Sequence, residues 1–219
     1  MMEILKEDSN TRQAVTILFV KVAAKSRSQQ KALDALLADV NGARTEPGNL
    51  KMELYKAAND PDAFYLFERW QTREALDDHF SQPYTQGAFD LQVNDLTEPI
   101  EMNYLEEIWP DADSFRKEPH QPLTTLIVPF QVKPEFVEEF EARFEKFVAQ
   151  VRRETGNREF HFHRIIDQPG RFVLYERWES QAHLDDHNRL PSTAAFIADI
   201  SPMLTRPLAQ SVLIVTDIS

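Results

Sequence analysis

Residues 61–83 read PDAFYLFERWQTREALDDHFSQP, and residues 169–191 read PGRFVLYERWESQAHLDDHNRLP. The two stretches align without a gap at an offset of 108, and eleven of the 23 positions are identical: Pro61/Pro169, Phe64/Phe172, Leu66/Leu174, Glu68/Glu176, Arg69/Arg177, Trp70/Trp178, Leu76/Leu184, Asp77/Asp185, Asp78/Asp186, His79/His187 and Pro83/Pro191. With each residue type near one in twenty, chance supplies only one or two such matches. The chain is a tandem duplication. The same offset carries Glu46/Glu154, Gly48/Gly156 and Asn49/Asn157 upstream, and LTEP/LTRP from Leu96 and Leu204 downstream. Each copy is thus about 95 residues, the size of one small domain and too long for a solenoid unit. We place the first copy at 14–108, a linker at 109–122 and the second copy at 123–217.

Each copy shows the same order of elements. AVTILFVKV (14–22) and LTTLIVPFQV (123–132) are apolar runs rich in β-branched residues, as buried strands are. A helix follows each, with one apolar stripe formed by Leu33, Leu36, Leu37 and Val40 in the first copy and by Val137, Phe140, Phe144, Val148 and Val151 in the second. Two strands come next, turning at Asn59–Asp62 and at Asp167–Gly170. Thr72 and Ser180 suit the N-caps of the helices that carry the L-D-D-H runs. A short helix after Pro83 or Pro191 leads to a last strand near 100–108 and 207–217. The pattern is β-α-β-β-α-β, two tandem ferredoxin-like α+β domains with helices on one face of an antiparallel sheet. The other face needs a cover, because its apolar residues would otherwise form a large exposed patch. Stacking the two antiparallel sheets face to face supplies it, and WPDADSFRKEPHQP (109–122), with three Pro and no apolar period, reads as the linker between them.

The net charge is −12, which argues against a nucleic-acid partner, since that affinity comes largely from Lys and Arg on phosphates. There is no Cys, hence no disulfide framework and no thiolate site. The N-terminal MMEILKEDSNTRQ lacks the pattern of a secretory signal, and no run of 18 apolar residues occurs, so a soluble, cytoplasmic protein without a membrane partner is expected. No Gly-rich phosphate loop, G-x-S-x-G elbow or Cys nucleophile is present.

The G-N of the second strand, the E-R-W that ends the third and the L-x-x-H of the following helix resemble the antibiotic biosynthesis monooxygenase family of the dimeric α+β barrel superfamily. Gly48, Glu68, Arg69, Trp70, Leu76 and His79 carry the resemblance in one half, and Gly156, Glu176, Arg177, Trp178, Leu184 and His187 in the other. The family usually pairs two identical chains. The resemblance therefore implies an intrachain pseudo-dimeric barrel, with an apolar pocket between sheet and helices in each half, and leaves further self-association open. It also implies a cofactor-independent monooxygenase that uses O2 on a small hydrophobic aromatic, quinol or anthrone-type molecule. The haem-degrading branch is disfavoured, because neither first strand carries an Asn.

Such a substrate can hand an electron to O2 once a base removes its acidic proton, so the protein need supply only a base and a dry pocket. His79 and His187 are the candidate bases. Trp70 and Trp178 offer a flat face and an indole N–H for a developing oxyanion. Plainer readings exist for each: the Trp side chains as core, the His side chains as caps of a helix C-terminus, and Glu68 and Glu176 as structural hydrogen-bond partners. Arg69 and Arg177 alternate to the opposite face, where pairing with surface acids is expected. His161 and His163 share one strand face and with His187 could form a three-His metal site, but an exposed strand face carrying the pair is the commoner explanation, so no metal is expected. A binder without turnover or a redox-neutral, isomerase-like enzyme remains the competing function, with one or both pockets non-catalytic.

Overall fold

The computed structural model describes residues 15–111 and 115–219. The first half runs β1 (Thr16–Ala23), α1 (Gln29–Ala43), β2 (Asn49–Ala57), β3 (Asp60–Trp70), α2 (Arg73–Phe80), α3 (Pro83–Phe89) and β4 (Glu101–Trp109). The second repeats it as β5 (Thr124–Gln131), α4 (Val137–Val151), β6 (Asn157–Ile165), β7 (Arg171–Trp178), α5 (Gln181–Arg189), α6 (Pro191–Ile200) and β8 (Leu213–Asp217). Residues 1–14, and with them the whole of MMEILKEDSNTRQ, lie outside the described residues, as do linker residues 112–114.

The caps behave as their chemistry dictates. Thr72 Oγ1 accepts from the Ala75 N–H at 3.1 Å and Ser180 Oγ from the His183 N–H at 3.3 Å, while Pro83 and Pro191 open α3 and α6 where a missing N–H costs nothing. In three places the elements differ from what the sequence predicts. The turn between β2 and β3 is only Ala58 and Asn59, with Asp60 to Asp62 already in β3 and Asp60 paired with Ala57. The last strand of the second half starts at Leu213, because residues 208–210 form a 3-10 turn. The buried stripe of α1 is Ala32, Leu36, Asp39, Val40 and Ala43, which leaves Leu33 and Leu37 half-buried at its edges.

The eight strands close into one barrel in the order β1-β3-β2-β8-β5-β7-β6-β4, all neighbours antiparallel. The last strand of each half does the closing: β4 pairs with its own β1 and with β6, and β8 pairs with its own β5 and with β2. Exchanging these strands removes both pairs of sheet edges, which would otherwise recruit other chains. Alternation along each strand then sends side chains to two different cores. Leu18, Leu54, Leu66 and Trp70 pack under the helices of the first half, and Phe130, Phe162, Phe172 and Trp178 under those of the second. Ile17, Phe19, Phe67, Ile127, Val173 and Tyr175 fill the barrel interior shared by both halves. Phe67 and Tyr175, equivalent positions of the duplication, stack there at 3.8 Å between ring centroids. This is the covered second face that the uncovered sheet required. No described helix is long and apolar enough to cross a membrane.

Candidate functional site

In each half the helix after the E-R-W strand lays its leucine and histidine against the sheet, because positions three apart share a helix face. Leu76 and His79 are buried on α2, and Leu184 and His187 on α5. His187 Nδ1 lies 2.7 Å from Glu154 Oε2, and His79 Nδ1 lies 2.8 Å from Glu46 Oε1. Glu46 and Glu154 sit in the turns just after α1 and α4, so the duplication preserves a glutamate–histidine dyad in each half. A carboxylate at Nδ1 favours the proton there and leaves the Nε2 lone pair for other work.

What Nε2 meets differs between the halves. His187 lines a cavity of about 320 Å³ whose walls are otherwise largely apolar, among them Phe144, Phe147, Phe160, Phe196 and Ile197. Two ring pairs stiffen that wall: Phe147 on Phe196 at 3.7 Å and Phe144 on Phe162 at 3.9 Å. In the first half His79 borders a space of only about 30 Å³, the size of one water and far too small for an aromatic ring. Asp39, which replaces Phe147, places Oδ1 3.6 Å from His79 Nε2, and Thr85 Oγ1 lies 3.4 Å from both ring nitrogens. Phe80 and Phe89, where the second half has Asn188 and Ile197, pack edge to face at 5.5 Å across the same space. Tyr84 donates its hydroxyl to Glu46 and stacks over Gly42, where a Cβ would meet its ring at 2.5 Å. Burial pushes the Asp39 carboxyl up, opposed by Thr85 and His79.

Trp70 and Trp178 are fully buried and line neither cavity. Their indole N–H groups are already donated, to Glu68 Oε2 and Glu176 Oε2, each at 3.0 Å, so they are not free for an oxyanion. Their faces carry the histidines instead, at 4.5 Å between the Trp70 and His79 rings and 4.8 Å between Trp178 and His187. Glu68 and Glu176 accept that structural bond as expected, yet each also borders its cavity. Burial raises Glu68 to about 8 and Glu176 to about 7 against the lowering effect of the indole bond. Glu176 is therefore a neutral or half-neutral acid facing an apolar cavity beside a histidine.

The metal grouping is corrected. His161 and His163 point into the barrel, whereas His187 packs on the other face of β6, 6.1 Å from the Phe160 ring, so the three do not converge. Nor do His161 and His163 lie on an exposed face: both are buried around Glu107, with His163 Nε2 4.0 Å from its Oε1. Burial lowers the His163 imidazole to about 3, opposed by Glu107; burial raises Glu107, but His161, His163 and Arg69 outweigh it and hold it at about 2. Arg69 and Arg177 likewise do not reach surface acids. Arg69 Nη2 donates to buried Glu107 at 2.7 Å, and Arg177 Nη1 to Glu159 at 3.0 Å inside the barrel mouth. Among the described residues Glu53, His120 and Asp217 do place ligand atoms within 4.8 Å of one another. Arg44 at 2.6 Å from Glu53 and Arg177 at 3.9 Å from Asp217 already supply positive charge there, which disfavours a cation.

Comparison with known proteins follows the duplication. The family model described as antibiotic biosynthesis monooxygenase matches twice, at residues 16–91 and 124–199. The chain is similar to YcnE of Bacillus subtilis, whose name carries a provisional monooxygenase assignment, at 31% identity over 36% of this chain and 82% of that one. It is similar to Rv0793 of Mycobacterium tuberculosis, named in the same way, at 31% over 40% of this chain and 86% of that one. A solved Fusobacterium nucleatum structure, also provisionally named a monooxygenase, superposes on 94% of both chains with a TM-score of 0.79 at 13% identity. An anthrone oxidase-like protein superposes on 94% of this chain and 91% of its own with a TM-score of 0.65 at 16% identity. These two share the fold over both halves.

Proposed function

The chain belongs to the antibiotic biosynthesis monooxygenase family, and on that footing we propose that its second half is a cofactor-independent oxygenase site for a small aromatic of the quinol or anthrone type, while its first half is a non-catalytic partner. The observation that carries this reading is the inequality of the two cavities, about 320 Å³ at His187 against about 30 Å³ at His79.

The chemistry follows from the side chains in the open cavity. His187, held at Nδ1 by Glu154, takes a proton from the activated carbon of the substrate at Nε2. The resulting carbanion transfers an electron to O2, and the radical pair joins as a carbon-bound peroxide, which recovers the proton from His187. Removal of the second C–H proton by His187 breaks the O–O bond as the carbonyl forms. Glu176, whose carboxyl burial raises to about 7, gives a proton in its neutral form to the departing hydroxide, which leaves as water, and regains one from His187. The balance is one CH2 and one O2 to one C=O and one water. Trp178 enters as a positioning residue, through the indole bond that fixes Glu176.

With an autoxidisable anthrone, O2 uptake in the presence of a chelator tests the assignment. His187→Ala is expected to lose roughly 10² to 10⁴ in rate, the usual contribution of a positioned acid–base group, and His79→Ala to stay near the parent. Equal rates in parent and His187→Ala overturn the reading; anaerobic conversion of the compound without O2 consumption would replace it with a redox-neutral one.

A further inference from the structure

The connecting segment 115–121 lies across one end of the barrel. Lys117 Nζ donates to the Asn49 carbonyl at 2.6 Å, His120 Nδ1 sits 2.6 Å from Glu53 Oε2, and Arg177 Nη2 donates to the Gln121 carbonyl at 2.8 Å. Beneath it is a cavity of about 310 Å³, comparable in size to the one at His187 but opposite in character. Seven Lys and Arg side chains line it against three Glu, in a chain whose net charge is −12. This concentration of positive charge is a local exception to the composition of the molecule.

The inner part of the lining is neutralised. Lys51 lies 2.6 Å from Glu159, Arg44 lies 2.6 Å from Glu53, and Arg177 is shared between both glutamates at 3.0 and 3.6 Å. In the outer part Arg158 is paired as well, with Glu179 at 2.8 Å, whereas Lys117 and Arg152 bond to main-chain carbonyls. Arg152 Nη1 donates to that of Arg158 and Lys117 to that of Asn49, and among the described residues neither has a carboxylate within ion-pair distance. Deeper in, the Nε of Arg177 is buried without a hydrogen-bond partner, on a side chain only 3% exposed. A buried unpaired N–H costs free energy comparable to a lost hydrogen bond. Phe115, with the Arg69 guanidinium 4.3 Å from its ring, adds an apolar wall. Cations that converge on a partly enclosed cavity focus the field and attract an anion.

We propose that this cavity at the barrel mouth, beneath 115–121, is a binding site for a small organic anion whose carboxylate or phosphate oxygens are met by Lys117 and Arg152. It is separate from the oxygenase site: β6 divides them, with His161 lining the anion cavity and Phe160 lining the other. The proposal does not rest on the oxygenase reading.

Calorimetric titration of the full chain at low ionic strength with citrate, inorganic phosphate and neutral triethyl citrate tests it. We expect saturable binding of one anion per chain, weakened by salt, and roughly tenfold weaker in Lys117→Ala/Arg152→Ala. Without ligand that variant should lose only a few degrees of melting temperature, the expected effect of removing two side-chain bonds to main-chain carbonyls. Binding of citrate alone assigns a carboxylate, and binding of phosphate alone a phosphate. No saturable heat with either anion, unchanged affinity in the double variant, or equal binding of the neutral ester overturns the proposal.

Discussion

At the scale of single residues the site is built from pairs whose members lie far apart in sequence. The positions of His79 and His187 were legible as the L-x-x-H of a capped helix. Their partners Glu46 and Glu154 were visible only as a recurrence at the common offset, because nothing local links a turn after one helix to a ring 33 residues on. Strand alternation correctly put Arg69 and Arg177 on the face opposite the tryptophans. The expectation of surface acids failed because that face is the barrel interior, where only buried partners are in reach. Glu68 and Glu176 lead to a pH prediction. Both have folded-state pKa values raised, to about 8 and about 7, above the ordinary 4.5. A raised carboxyl stabilises fully below its unfolded value, and that contribution is lost as pH rises through the folded one. Stability should therefore fall between about pH 4.5 and 8 from this source. Glu68→Gln/Glu176→Gln, which keeps a neutral acceptor for both indoles, should flatten that slope in urea titrations run across the range. A slope identical to the parent's would show that neither acid is held neutral.

At the scale of elements, local chemistry was the easiest part to read. The caps at Thr72 and Ser180 need only the residues of one helical turn, and they form as expected. The cavities depend on several elements at once. Asp39/Phe147 lies on the long helix, Phe80/Asn188 on the short one and Phe89/Ile197 on the next, so their joint effect on volume has no signature in any one segment. The G-N of the second strand is explained by close approach. A Cβ on Gly48 would sit 2.4 Å from Ala75 Cβ, and one on Gly156 would sit 2.2 Å from the His183 ring while φ is +80°. Gly156→Ala should cost about 2–4 kcal/mol, combining a left-handed backbone with overpacking. Adding His183→Ala should recover only part of this in thermal unfolding, because the backbone cost stays. Full recovery would place the whole penalty in the ring contact.

At the scale of the molecule, fusion permits what a homodimer cannot. Positions 51 and 159 are equivalent by the duplication, and they hold Lys and Glu at 2.6 Å. Two identical chains would bring like charges together there. Lys51→Glu or Glu159→Lys alone should destabilise by about 3–5 kcal/mol, the usual effect of leaving a buried charge unpaired. The double exchange should restore much of it in a denaturant-based double-mutant cycle, unless the other charges around Arg177 dictate the orientation. The same freedom lets one half open a cavity while the other fills it. The central claim is that one half alone receives the substrate, and the direct measurement is binding stoichiometry for an anthrone under anaerobic equilibrium dialysis. The account predicts one molecule per chain in the parent, and none in Asn188→Phe/Ile197→Phe, which gives the second half the ring pair that closes the first. Two molecules per chain, or one retained in that variant, would contradict it.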